Sequence, residues 1–314
     1  MNDLAFLSDY LSASLRLSMP LAFAALGGLW SERSGVLNIG LEGMMLTGAF
    51  VGAAATFYSN QNVWLGIFAA VISGGLVGLL HAYLSVTLQV NQLVSGLAIN
   101  LSAAGLTAFM SRLVFNGSTT QTLPGLPAIA IPGFSQIPVL GSLLFNQDPL
   151  VYFLLLLLPL STYMLFHTSL GLTLRAVGEY PRAADTAGIR VALVRYISVI
   201  LSGCLAGLGG AYLVLVHVKF FTEDISAGKG FIALAALIFG RWHPVYTVLA
   251  CLLFGATEAL QLRIQAFNLN IPYQFLVMLP YAIALLAMVG LAGKTTPPAA
   301  LGVPYSKESI GSQP

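Results

Sequence analysis

The segment Leu150–Leu160 reads LVYFLLLLLPL and Phe231–Phe239 reads FIALAALIF, and neither has a hydrophilic face to turn toward water. Such runs belong in lipid, where backbone N–H and C=O groups must be satisfied within the protein and only helices or closed barrels span. A barrel strand alternates apolar and polar residues, and these runs do not. The fold class is therefore an all-α polytopic membrane protein. Only 8% of the residues are charged, against about 25% in a soluble domain.

A spanning helix needs about 20 mostly apolar residues. Spans are expected near 15–30, 36–58, 63–86, 93–112, 149–167, 194–217, 229–240, 245–264 and 271–292. The piece at 229–240 is too short to cross alone and reads as a half-helix or re-entrant segment, so the chain makes eight or nine crossings. Residues 1–14 mix Asp3 and Asp9 with Phe6, Leu7 and Leu11, the pattern of an interfacial helix. A transmembrane permease domain then covers 1–292 and a polar tail covers 293–314.

The charge is unevenly placed. Arg175, Arg182, Arg190 and Arg195 fall in one connection (168–195) with Glu179 and Asp185, whereas the long connection 114–148 carries neither Lys nor Arg. The positive-inside rule puts the first in the cytoplasm and the second outside. Carried through the chain, this puts the N-terminus outside and the C-terminus inside. Lys294 and Lys307 in the tail agree; Lys219, Lys229 and Arg263 fall on the outer side against the rule.

Three polar groups interrupt the apolar background. In SERSGVLNIGLEGMMLT (31–47) a helix ends near Trp30 and an apolar stretch resumes at Val36, with Asn38 and Glu42 on one helical face and Thr47 beyond. A carboxylate inside a span is costly and normally meets a cavity or a partner, and broken helices often aim their freed groups at a substrate path. The competing reading pairs Glu42 with Arg33 near the interface. Thr257, Glu258, Gln261 and Gln265 make a second polar stripe, and Asn91, Gln92, Ser95 and Asn100 a third. Uncharged amides and hydroxyls suit a polar, neutral solute, but serve equally as glue between helices. Gly48/Gly52, Gly74/Gly78 and Gly203/Gly207 read as close helix contacts.

Signatures of covalent chemistry are missing: no HExxH, GxSxG or phosphate-binding GxxxxGK[ST] occurs. His81, His167, His217 and His243 are too scattered to suggest a metal cluster, and Cys204 and Cys251 lie in apolar segments with no disulfide framework implied. No ladder of carboxylates suggests a proton relay. Nothing points to nucleic acid. The first 14 residues lack the basic start and cleavage site of a signal peptide.

The connection that contains LRAVGEYPRAADTAGIRVALVRY (174–196) divides into a short helix at 172–177, a turn at 178–181 and a second helix at 182–187. Pro181 suits the first turn of the second helix and Gly188 its stop. A surface helix rich in Arg with a small face of Ala183, Ala184, Ala187 and Gly188 fits a groove on another protein.

RAVGEYPRAADTAG (175–188) resembles the coupling segment of permease subunits of bacterial ABC importers, in the branch that serves branched-chain amino acids, ribose-type sugars and nucleosides. ERSGVLNIGLEGMML (32–46) is most similar to the nucleoside-type members, and SGCLAGLGGAYL (202–213), GKGFIALAALIFGRWHP (228–244) and PAALGVPY (298–305) agree. The likeness runs nearly end to end, and this chain looks like the shorter of the two nucleoside-type permeases.

The resemblance implies a type II-importer-like permease in the bacterial cytoplasmic membrane that pairs with a second permease, a cytoplasmic ATPase carrying ATP and Mg²⁺, and an external solute-binding protein. It places Arg175, Ala176, Val177, Gly178, Glu179, Arg182, Ala183, Ala184 and Gly188 on the ATPase-coupling motif, and implies alternating access without covalent chemistry or a cofactor in this chain. Asn38, Glu42, Thr47, Asn91, Ser95, Asn100, Glu258 and Gln261 are the candidates for the substrate path. A simple-sugar permease is the main alternative, and an ion-driven secondary transporter a more distant one.

Overall fold

The computed structural model describes residues 3–115, 122–133, 140–266 and 296–306, with isolated positions between 274 and 286. The expected span at 271–292 therefore lies mostly outside the described residues. Among those described, six helices are long and apolar enough to cross a membrane. They are α1 (Asp3–Arg33), α3 (Val63–Ala82), α4 (Gln92–Val114), α6 (Pro149–His167), α9 (Val191–Tyr212) and α11 (Pro244–Ala266). Helix α2 (Leu41–Tyr58) joins them in the bundle, and α10 (Lys229–Phe239) is the short piece expected at 229–240. Helices α3 and α9 each end in a π-helical turn, at Tyr83–Thr87 and Leu213–Val218.

The spanning windows of α1 and α9 are 83% and 78% buried, against 28% for α6, so these two form the centre of the bundle. Helix α1 is continuous: the expected interfacial segment and the first span are one helix, with Pro20 inside it. Close packing replaces a hydrophobic driving force, which lipid does not supply between helices. A Cβ on Gly74 would lie 2.3 Å from the Gly203 carbonyl, and one on Gly48 would lie 2.5 Å from Gly207 Cα. The α3–α9 and α2–α9 crossings therefore bring backbone against backbone.

On one side of the bundle, the connection after α4 contains a two-residue antiparallel ribbon in which Ile129 faces Gln147 and Ala130 faces Asn146, together with α5 (Leu140–Leu144). Asp148 caps α6 through the Leu150 and Val151 amides, at 3.0 and 3.2 Å, and accepts from the Tyr212 hydroxyl at 3.0 Å. Phe50, Phe115 and Phe221 cluster beneath this layer, with centroids 5.5–6.4 Å apart.

Two stretches depart from spanning helices. Residues 34–40, between α1 and α2, are buried or half-buried and not helical. Residues 219–228 run from the end of α4, where Arg112 pairs with Glu223 at 2.7 Å, inward to the start of α2. Helix α10 begins there, beside Glu42, and ends near the foot of α1, where Trp242 donates to Glu32 at 2.6 Å and Arg33 donates to the Trp242 carbonyl. It is a half-helix reached by a re-entrant loop.

Candidate functional site

Helices α7 (Ser169–Glu179) and α8 (Pro181–Thr186) form an elbow around Tyr180. Thr168 caps α7 by accepting from the Gly171 amide at 3.2 Å, and Pro181 opens α8 as its missing N–H allows. Gly188, at φ +86°, closes α8: its amide bonds the Asp185 carbonyl at 2.9 Å and the Ile189 amide bonds the Ala184 carbonyl at 3.0 Å. That pair of bonds is a Schellman stop.

The elbow has two faces. Leu174, Val177, Gly178 and Ala184 are buried, while Tyr180, Arg182, Ala183, Thr186, Ala187, Gly188 and Arg190 are exposed. Of the residues expected to couple, Arg182, Ala183 and Gly188 thus lie on the outer surface. Val177, Gly178 and Ala184 anchor it, and Arg175 and Ala176 are half-buried between. Ala184 turns inward, leaving Ala183, Ala187 and Gly188 as the small exposed face. Arg175 lies over the Phe166 ring, 5.3 Å from its centroid.

The anchor reaches the foot of α1. A Cβ on Gly178 would fall 2.1 Å from the Arg33 carbonyl, so only glycine lets α7 sit there. The tail closes over the same spot: the Ala300 amide donates to the Gly178 carbonyl at 2.9 Å, Ala299 to the Glu179 carboxylate at 3.1 Å, and Gly302 to the Gly35 carbonyl at 3.1 Å. Residues 296–306, the described part of the 293–314 tail, form a strap on the elbow. Arg195, counted above among the loop charges, is 1% exposed; it donates to the Ser34 and Val303 carbonyls at 3.3 and 3.1 Å. Two carbonyls thereby gain a charged donor, which offsets part of the cost of burying the guanidinium.

Above the elbow, residues 34–40 are held by side chains in place of helical bonds. Ser31 donates to the Val36 carbonyl at 2.8 Å, and Gln92 accepts from the Leu37 amide at 2.7 Å. His81 Nε2 lies 3.1 Å from the Leu37 carbonyl and Nδ1 3.1 Å from Ser95 Oγ, which fits a neutral ring donating through Nε2. Asn100 donates to the Ile39 carbonyl at 2.9 Å and accepts from the Gly43 amide at 2.8 Å. Asn38 donates to Ser202 at 2.9 Å. Buried non-helical backbone inside a bundle requires such partners.

Several residues proposed to line a path are thus committed to other residues of the chain. Asn38, Ser95 and Asn100 brace the break, and Asn91 caps α4 through the Leu93 amide at 2.9 Å. Glu42 does not pair with Arg33. Its carboxylate accepts from Ser226 Oγ and from the Gly228 and Gly230 amides at 2.9 and 2.6 Å. It caps α10, where the helix dipole favours an anion. Thr47 bonds back to the Gly43 carbonyl and stays half-buried; Glu258 and Gln261 are half-buried on α11.

Lys229 joins Glu258 in an ion pair at 2.7 Å. Exposed His217 lies within electrostatic reach of Lys229, Glu258 and exposed Arg16. Helical rise puts Glu258 roughly 20 Å along α11 from Pro244, so this polar patch lies in the half of the bundle away from the elbow. Arg16, His217 and Lys229 were not among the expected path residues, although ionisable groups within or beside spans were the available signal.

The sequence pattern of the family described as "Branched-chain amino acid transport system / permease component" matches residues 10–293. The chain belongs to this permease family. It is 40% identical to the guanosine ABC transporter permease protein NupQ of Bacillus subtilis, over 98% of this chain and 99% of that one. It is 38% identical to the nucleoside ABC transporter permease protein NupC of Lactococcus lactis, over the same shares of the two chains. It is 36% identical to a putative glucose ABC transporter permease protein, TsgC13, of Haloferax volcanii, over 85% of this chain and 80% of that one. As an ABC permease it is a multi-pass membrane subunit and not an enzyme, which sets aside the ion-driven alternative.

Proposed function

We propose that this permease forms half of the translocation path of an ATP-driven nucleoside importer in the bacterial cytoplasmic membrane. The observation that carries the reading is its end-to-end likeness to guanosine and nucleoside permeases. A second permease completes the path, and an external solute-binding protein delivers the nucleoside. The ATPase, which holds ATP and Mg²⁺, docks on the exposed face of the elbow. Arg182, Ala183 and Gly188 make that contact, with Arg175, Ala176, Val177, Gly178, Glu179 and Ala184 shaping and holding it. The elbow and the strap face the cytoplasm and the N-terminus faces outside, in line with the arginines at 175–195 and the cation-free 114–148 connection.

The path runs along the face that carries Thr47, Glu258 and Gln261, with the Lys229–Glu258 pair as its polar rung. Asn38, Glu42, Ser95 and Asn100 stand behind that face and fix its backbone, and Asn91 fixes the start of α4. Nucleotide binding in the partner pushes on the elbow, and the bundle switches between two packings that open to opposite sides.

Uptake of labelled guanosine, adenosine and uridine in cells with and without this chain tests the substrate, with excess cold ribose or nucleobase as competitor. Loss of uptake on deletion, competed by nucleoside but not by ribose, is the expected result. Unchanged nucleoside uptake in cells lacking other nucleoside systems refutes it. The likeness to a putative glucose permease favours a sugar as the second reading, which competition by ribose or glucose would reveal.

A further inference from the structure

The ATPase-contact surface and the re-entrant loop lie at opposite ends of a continuous set of contacts. Helix α7 meets the foot of α1 with no room for a side chain at Gly178. Beyond that contact comes the break at 34–40, whose carbonyls at 34, 35, 36, 37, 39 and 40 each accept a hydrogen bond. A segment with six of its seven carbonyls held in this way moves as a block instead of absorbing displacement. Its far end is the first turn of α2, which carries Glu42.

Glu42 is the joint between that block and the loop. One carboxylate oxygen takes both Ser226 Oγ and the Gly228 amide, and the other takes the Gly230 amide. The fit is tight, since a Cβ on Gly230 would lie 2.4 Å from the Glu42 nitrogen. On the loop side, Lys219, Asp224, Ala227 and Gly228 all adopt positive φ, between 46° and 82°. Conformations of this kind persist when their surroundings hold them, and Glu42 grips two residues of this run or next to it. The loop also exposes Glu223, Asp224 and Ala227.

We propose that Glu42 is a positioning residue that transmits movement of the α7–α8 elbow to the re-entrant loop 219–228, so that nucleotide binding in the ATPase resets the wall of the path. The block formed by residues 34–40 carries the displacement, and the carboxylate converts it into a shift of the α10 N-terminus. This rests on the elbow being the ATPase contact, and not on the identity of the solute.

The test uses the assembled complex with its own ATPase and partner permease, reconstituted in membranes, with Cys204→Ser to remove the partly accessible thiol; Cys251 is buried. Ala227→Cys reports loop exposure by its rate of reaction with a membrane-impermeant thiol reagent, with and without ATP plus vanadate. Nucleotide is expected to change that rate. Glu42→Gln, which places an NH₂ against backbone donors, is expected to shrink the nucleotide effect about tenfold, the equivalent of one charge-assisted hydrogen bond. ATPase co-purification and melting temperature should hold. Ser226→Ala, which removes one donor and keeps the charge, should give an intermediate loss even if Glu42→Gln fails to assemble.

A full nucleotide response in either assembled variant overturns the proposal, as does a loop that ignores nucleotide in the parent. An elbow that is not the ATPase contact announces itself separately, because Arg182→Glu would then leave co-purification intact. The solute reading is untouched by all of these arms, since no nucleoside is present.

Discussion

Asn100 offers the sharpest separation between a residue that braces backbone and one that meets solute. Its amide serves two main-chain groups at once, the Gly43 N–H and the Ile39 C=O, and it is 9% exposed. Asn100→Ala leaves both groups buried without partners, at about 1–3 kcal/mol each, so about 2–6 kcal/mol in all. Asn100→Asp keeps the acceptor for Gly43 but sets an anion against the Ile39 carbonyl, and should recover little. Ser102→Ala, at an exposed position on the same helix, is the control. A loss near the middle of that range lowers the melting temperature by about 6 °C for a chain of this length, read by tryptophan fluorescence in detergent, and amide exchange at Gly43 should accelerate in parallel. The reasoning fails if Asn100→Ala melts with the wild type while the KM for uptake rises, because that pattern belongs to a solute contact.

Other expectations concern the elbow, the crossings and pH. Arg182→Glu or Ala187→Trp on the exposed face should abolish ATPase co-purification without affecting membrane insertion, measured by pull-down from solubilised membranes. Arg195→Met should destabilise the chain by about 1–3 kcal/mol, since the buried Ser34 carbonyl loses a charged donor; a melting temperature equal to wild type would contradict it. Gly74→Ala should cost about 1–3 kcal/mol or more through overpacking against the Gly203 carbonyl, seen as lowered thermal stability. His243 is held below the ordinary histidine range by burial, and next by the nearby Arg33 charge. A basic group with a depressed folded pKa stabilises the fold above its unfolded value near 6.5 and loses that contribution as pH falls toward the folded value. His243→Phe, which keeps the stack against Phe166 and Tyr246, should therefore weaken the acid-side fall in melting temperature.

The spans were readable because lipid leaves so few alternatives: an apolar run of helical length has nowhere else to go, and even the half-helix at 229–239 shows in its length. Pro181 and Gly188 were readable for a different reason, since the start and stop of a helix are set by local backbone chemistry. What the sequence withheld is partnership. Asn100 facing a solute and Asn100 facing Gly43 are spelled alike, because an amide's hydrogen-bonding capacity does not name its partner. Glu42 reads as a path residue until Ser226, Gly228 and Gly230 arrive from far along the chain. Arg195 reads as a solvated cation because it follows Arg182 and Arg190, but α9 already begins at Val191, and that helix carries it inward. The 296–306 strap is composed like a loose end, and only its bonds to Gly178, Glu179 and Gly35 reveal otherwise.

That strap bears on the order in which the molecule can be made. The seat of the elbow combines Arg33 and Gly35, translated early, with Ala299, Ala300 and Gly302, translated nearly 270 residues later. A ribosome-bound chain can thread its helices into the bilayer well before those last residues emerge, but the seat of the elbow stays unfinished until they do. A chain that stops short of residue 302 lacks the strap residues that bond Gly178, Glu179 and Gly35, and should hold the elbow less firmly.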